Sequence, residues 1–210
     1  MIFMKKFLIF SLLTIVFLSK ISLGAEAEDF REAAERGSAG AQYKLALCYE
    51  RGESVEKNLQ EAARWYKAAA EQGHPGAQSN LGWCYEHALG VKKDAQEAVR
   101  WYKKAAEQGH LGGQCNLGSC YERGVGVEMD VKEAVRWYKE AAEQRHKGGL
   151  YNLGQCYEKG LGVKKNKKEA ERLYKEAAMM RHEPARKKLK DMTKESKSAG
   201  YKKSRKEKTP

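Results

Sequence analysis

Proline is nearly missing from this chain: three residues in 210. Ala, Glu, Lys and Gln are abundant instead, so the composition excludes a proline-rich extended protein and favours helix over strand. Cysteine is sparse as well. There are five, and an odd number leaves at least one thiol without a mate. Long apolar runs are absent, with one exception near the start. "FLIFSLLTIVFL" (7–18) has twelve residues, where spanning a bilayer takes about 20. It follows the basic "MIFMKK", gives way to Lys20, and is followed by the small residues Ser22, Gly24 and Ala25. This order reads as a secretory signal peptide over residues 1–24, cleaved near Gly24/Ala25. An uncleaved anchor is the alternative. No cysteine lies near the cleavage region, which argues against a lipid-anchored protein. The expectation is a secreted or periplasmic chain with no transmembrane segment after cleavage.

Most of the chain also lacks an excess of either charge. The formal charge is +12. Residues 1–24 hold three lysines and no acid, and residues 186–210 hold eleven Lys/Arg against Asp191, Glu195 and Glu207, so +3 and +8 of the total belong to the two ends. Residues 25–185 keep only +1. The basic pI therefore describes the ends rather than the body. The tail (196–210), within "KESKSAGYKKSRKEKTP", is polar and without periodicity, and is expected to be disordered. Its charge suits weak contact with an anionic surface: lipid, cell-wall polymer or nucleic acid. Nucleic acid is the least favoured, since no aromatic-rich platform accompanies the charge. A solubilising tail is the plain alternative.

What the chain has in quantity is repetition. Trp65, Trp101 and Trp137 stand 36 residues apart, with Leu173 in the fourth position. Each is followed by a tyrosine: Tyr66, Tyr102, Tyr138, Tyr174. Cys48, Cys84, Cys120 and Cys156 keep the same interval, as do His74, His110, His146 and His182. Self-similarity at this period signals stacked helical repeats. In the second copy Ala77, Leu81, Cys84, Tyr85 and Ala88 form one apolar stripe of a helix A. "LGV" ends that helix, with Gly90 free to take positive φ. Asp94 then opens helix B with Glu97 three residues on, a capping-box pattern that recurs as Asn58…Glu61, Asp130…Glu133 and Asn166…Glu169. Ala98, Trp101, Tyr102, Ala105 and Ala106 form the buried stripe of helix B.

One helix pair cannot bury its stripe alone, so neighbours must stack. The predicted fold is all-α: a right-handed α-solenoid of antiparallel helix pairs with a 36-residue repeat. Repeats fall at about 38–73, 74–109, 110–145 and 146–181. "DFREAAERG" (29–37) supplies a half-repeat before them, and a closing helix with Ala185, Leu189 and Met192 follows, for a repeat domain over 25–195.

The segment "AQSNLGWCYEHALGVKKDAQEAVRWYKKAAEQGH" resembles the Sel-one-like repeat family, relatives of the tetratricopeptide repeats. The resemblance rests on Ala-x-x-x-Leu-Gly-x-x-Tyr, the Gly-x-Gly-Val turn and Ala-x-x-Trp-Tyr-x-x-Ala-Ala, and covers nearly the whole chain after residue 24. There are departures: Ala46 replaces the helix-A glycine in the first repeat, Glu53-Ser54 loosens its turn, Ala88 replaces the first turn glycine in the second, and Arg145 replaces a helix-ending glycine in the third. The family includes an exported cysteine-rich group of Helicobacter type, in which two cysteines per repeat bridge the helices. This chain lacks the second cysteine, so that bridging is not carried over.

The cysteine ladder reads as packing. Equivalent residues of successive repeats lie about one helix diameter apart, about 8–10 Å, and a disulfide needs Cα atoms within about 7 Å. The histidines sit among glycines in turns, where a polar turn residue suffices. No catalytic residue, cofactor site or metal site is assigned, and no Ser-His-Asp or Cys-His arrangement stands out. The variable face of helix A is the candidate binding surface. In tetratricopeptide-like folds this face lines a concave groove, and the resemblance implies the same here. It holds Tyr43/Ser79/Cys115/Tyr151, then Lys44/Asn80/Asn116/Asn152, then Leu47/Trp83/Ser119/Gln155, with Glu86 and its counterparts beyond. The asparagines either bind an extended peptide or bond locally. Tyr43, Leu47, Trp83 and Tyr151 are either binding anchors or packed against a neighbouring turn. Cys115 falls on the open face and is expected to label in the native state, unlike the ladder cysteines. The predicted function is a non-enzymatic scaffold or adaptor binding a protein or peptide, with an envelope or host-interaction role in a bacterium. The alternatives are a β-lactam-binding or weakly hydrolytic member of the exported group, or a luminal adaptor of a eukaryotic secretory pathway.

Overall fold

A computed structural model describes residues 27–206, with side chains from 27 to 194. The signal-peptide reading of 1–24 and the last four residues of the tail lie outside the described residues. Every described element is a helix: α1 (27–35), α2 (Ala39–Arg51), α3 (Leu59–Glu71), α4 (Pro75–His87), α5 (Ala95–Glu107), α6 (Leu111–Arg123), α7 (Val131–Glu143), α8 (Lys147–Lys159), α9 (Lys167–Met179) and α10 (Glu183–Lys206). The fold is an all-α solenoid of helix pairs. Even-numbered helices are the A helices and odd-numbered ones the B helices. Two compact units divide the chain, residues 1–105 and 106–210.

Helix A starts differently from helix B. Ser38 caps α2, but His74, His110 and His146 cap α4, α6 and α8, each accepting a backbone N–H on Nδ1. The B helices are capped by Asn58, Asp130 and Asn166, whose side chains accept from the first-turn amides. Only half of the predicted capping box forms. The cap residue's own N–H does not meet the glutamate but donates to a helix-A carbonyl: Asn58 to Tyr49, Asp94 to Tyr85, Asp130 to Tyr121 and Asn166 to Tyr157. The glutamates turn to arginines one turn on: Glu61 to Arg64, Glu97 to Arg100, Glu133 to Arg136 and Glu169 to Arg172.

The A helices end in left-handed residues, Gly52, Ala88, Gly124 and Gly160, whose N–H groups donate to Cys48, Cys84, Cys120 and Cys156. Ala88 is therefore no part of the apolar stripe. It is exposed and holds φ at 58°, the place where the other copies use glycine. Arg145 likewise keeps positive φ where a glycine was missing, so both departures leave the turn geometry intact.

Inside each pair the core is an alanine-lined seam with one fully buried tyrosine per repeat: Tyr66, Tyr102, Tyr138 and Tyr174. The helix-A glycine makes room for that ring. A Cβ on Gly118 would come within 2.7 Å of Tyr138, and one on Gly154 within 2.7 Å of Tyr174.

Residues 196–206 differ from the expectation of disorder, because α10 runs on to Lys206. The helix is already nucleated by the docked segment around Ala185, Leu189 and Met192. Propagation through Lys, Arg, Ser and Ala then carries the helix past the single Gly200, and no proline intervenes before Pro210.

Candidate functional site

The four tyrosines carry the first layer of the helix-A face. The Tyr102 and Tyr138 hydroxyls donate to Glu86 and Glu122 at 2.8 Å, Tyr174 to Glu158 at 2.9 Å, and Tyr66 to Glu50. Burial, with the facing carboxylate second or close behind, pushes the Tyr66, Tyr138 and Tyr174 hydroxyls well above the ordinary range. They therefore remain donors at any physiological pH. The glutamate ladder of the expected groove is thus bound from within. At the end of the array Lys188 adds a 2.9 Å ion pair to Glu158. Burial alone would raise Glu158, but the bonds from Lys188 and Tyr174 bring its carboxyl below the usual value.

In the first unit, Tyr43 is half-buried and stacks on the His74 cap with centroids 4.5 Å apart. Ser79 is buried. Lys44 is exposed, its Nζ 5.1 Å over the Phe30 ring. Asn80 is half-buried. Leu47 packs partly against the core. Trp83 is different. It keeps 43% of its surface exposed, lies over the His87 ring at 3.6 Å, and is steadied further by the His87 Nδ1–H bond to its carbonyl.

In the second unit, the first position again serves packing. Tyr151 lies 4.9 Å from His182 and 5.6 Å from Tyr174, ring centre to ring centre. Cys115 corrects the expectation of an open thiol. It is buried, and its Sγ stands 3.2 Å from His146 Nδ1. The signal was the equivalence of Cys115 with Tyr43 and Tyr151: all three face the histidine that precedes the next A helix. Asn116 and Asn152 are half-buried. The Ser119 Oγ accepts from Arg123, and Gln155 donates to the Tyr151 hydroxyl at 3.3 Å.

The Cys115–His146 pair has the residue types of a nucleophile and its base, but not their electrostatics. Burial pushes the Cys115 thiol up to about 12 and lowers the His146 pKa, so the neutral pair is favoured. His146 Nδ1 is in addition engaged with the Gly149 amide. All five cysteines are buried, and none is in a disulfide.

The capping histidines make stability depend on pH. Burial lowers the pKa values of the caps His74 and His146. A cap that accepts on Nδ1 must be unprotonated, whereas the unfolded imidazole titrates near about 6.5. Below that value the unfolded chain binds more protons, so stability falls as pH drops from about 6.5 towards the lower folded values. The urea midpoint is expected to be lower at about pH 5.5 than at 7.5, with each cap worth about 1 kcal/mol. His74→Asn, which retains a capping oxygen, should reduce that dependence. An unchanged pH slope in this variant would remove the caps as its cause.

A second ladder went unread in the sequence. Gln42, Gln78 and Gln114 are buried, and their Nε2 groups donate to the Ala34, Ala70 and Ala106 carbonyls at the end of the preceding B helix. Their 36-residue spacing was the available signal.

The Sel1 repeat matches residues 39–74, 75–110, 112–146 and 148–182. The chain belongs to the Sel1 repeat family. Sel1 repeat chains are in general protein–protein interaction modules and typically non-catalytic. A Sel1 repeat protein from Oxalobacter formigenes is 36% identical with a TM-score of 0.75, over 78% of this chain and 65% of that one. A protective antigen of uropathogenic Escherichia coli with an SLR fold is 40% identical with a TM-score of 0.69, over 73% of this chain. The alignment spans only 33% of that antigen's length. No match is found among curated proteins. No described helix of this Sel1 repeat chain is long and apolar enough to cross a membrane.

Proposed function

We propose that this chain is a non-enzymatic scaffold or adaptor that holds a segment of another protein against the helix-A face, with Trp83 as the anchor. The exposure of Trp83 carries the reading. Its helix-A counterparts are Leu47, Ser119 and Gln155, so neither the repeat nor the core requires an indole there. Stacking on His87 holds the ring, which lowers the entropy cost of using it as a contact. Lys44 is an exposed cation of the same helix-A face. Tyr43, Ser79, Cys115 and Tyr151 are not assigned to the partner, since packing already uses them. We further propose that the protein works outside the cytoplasm, in an envelope or host-facing role. The leader read in residues 1–24 supports this, and so does the likeness to a protective antigen.

Panning a random-peptide display library on the chain from Ala25 onward tests the anchor. Trp83→Ala is expected to weaken the enriched peptides about 30-fold, as loss of a central aromatic anchor does, while leaving helicity unchanged. Peptides that bind wild type and Trp83→Ala equally would refute the assignment.

A further inference from the structure

Charge is divided along the chain at Glu158. Residues 25–158 hold 18 Lys/Arg against 21 Asp/Glu, whereas residues 159–206 hold 18 against 6. The last stretch thus carries a net +12. The structure separates these cations into two kinds. Arg172, Lys175, Arg186 and Lys188 are each paired with a glutamate. Lys164, Lys165, Lys167 and Lys168, in the turn before α9 and its first residues, are all exposed and in no ion pair with a described side chain, as are Lys187, Lys190 and Lys194 on α10.

Both groups belong to the last two helices, α9 and α10, on different sides of α10: Lys187 lines a separate cleft with Tyr151 and Asp191. Lys167 lines a cleft between α9 and α10 together with Met192 and Thr193. The lysine turn therefore flanks the point where α10 passes beyond the length of the other A helices. From there the helix continues through Lys206, about 18 Å at about 1.5 Å per residue. This continuation adds Lys197, Lys202, Lys203, Arg205 and Lys206 against Glu195.

We propose that the lysines of α9 and α10 make this end of the array an adsorption surface for an anionic phospholipid bilayer. Composition, with the leader read in residues 1–24, favours a bilayer over nucleic acid. The unpaired cations are overwhelmingly lysine: residues 159–206 contain 14 Lys and 4 Arg, and two of those arginines are engaged within the chain. Lysine is a point charge suited to a diffuse headgroup layer, whereas base reading favours the arginine fork. The signal peptide read in residues 1–24 points the same way, since an exported chain meets a membrane surface and not the cell's nucleic acid. Residues 195–206 contain Tyr201 as their only large apolar side chain, so the contact is electrostatic adsorption without insertion.

Co-sedimentation of the chain from Ala25 onward, which contains every described helix, tests this directly. Vesicles of phosphatidylcholine with about 30% phosphatidylglycerol should bind and pure phosphatidylcholine should not. Raising salt from about 0.05 to 0.25 M should weaken binding about tenfold or more. Lys164→Gln/Lys165→Gln/Lys167→Gln/Lys168→Gln should lose about fivefold or more, and Lys187→Gln/Lys190→Gln/Lys194→Gln a similar factor, both with unchanged urea midpoints. Trp83→Ala should bind vesicles like wild type, which separates this surface from the proposed peptide anchor. Equal binding to neutral vesicles would overturn the proposal. So would undiminished binding by both lysine variants, or tighter binding to a duplex oligonucleotide than to anionic vesicles at the same salt.

Discussion

Gly90→Ala is expected to remove about 3 kcal/mol or more of stability. Two costs combine. Gly90 holds φ at 70°, which an alanine adopts only with strain. The added Cβ would also land on the Leu59 carbonyl and come within 2.8 Å of the Gln60 nitrogen, at the first turn of α3. Backbone of a capped helix cannot step aside as a side-chain tip can. Gly162 sits in the same way on the Val131 carbonyl and should behave alike. Gly40→Ala is the control: it lies in α2 with no atom within 4 Å of the new methyl, and should be neutral or stabilising by up to about 1 kcal/mol. Urea unfolding of the three variants decides the matter. Equal midpoints for Gly90→Ala and Gly40→Ala would show that this seat does not constrain the turn.

Tyr138→Ala should cost about 3–5 kcal/mol, the range for deleting a buried aromatic ring. Tyr138 is 1% exposed and fills the space opened by Gly118. Tyr138→Phe separates the ring from the hydroxyl. It retains the packing but leaves Glu122 without its 2.8 Å donor, at about 1–2 kcal/mol. Nearest-neighbour stacking predicts that the loss concentrates in α6–α8, visible as faster amide exchange there than in α2 and α3. If Phe and Ala destabilise equally, the hydroxyl rather than the ring holds the repeat.

The repeat and its helices could be read from spacing because each copy states the same pattern and errors in one are corrected by the others. What escaped reading were bonds between repeats. The Gln42, Gln78 and Gln114 amides reach back eight residues to a carbonyl, a distance no helical periodicity flags. The histidines looked like filler in glycine turns because Ser, Thr, Asp and Asn are the ordinary caps. The helix-A face was harder still. Period alone marks Tyr43, Ser79, Cys115 and Tyr151 as opposite the apolar stripe, hence open. Only the placement of the following repeat's cap shows that this position is covered, as for Cys115 against His146. Trp83 stayed exposed because the next variable position lies one turn further along, beyond that cap.

The seating of Gly90 on Leu59 and of Gly162 on Val131, like the reach of each glutamine to the helix before it, also restricts how such a chain can change length. Adding one residue between these points turns every later side chain by about 100° and takes donor and acceptor out of register together. Adding 36 residues restores all of them at once. Growth and shrinkage of the array in descent should therefore proceed by whole repeats, with small insertions confined to its two ends.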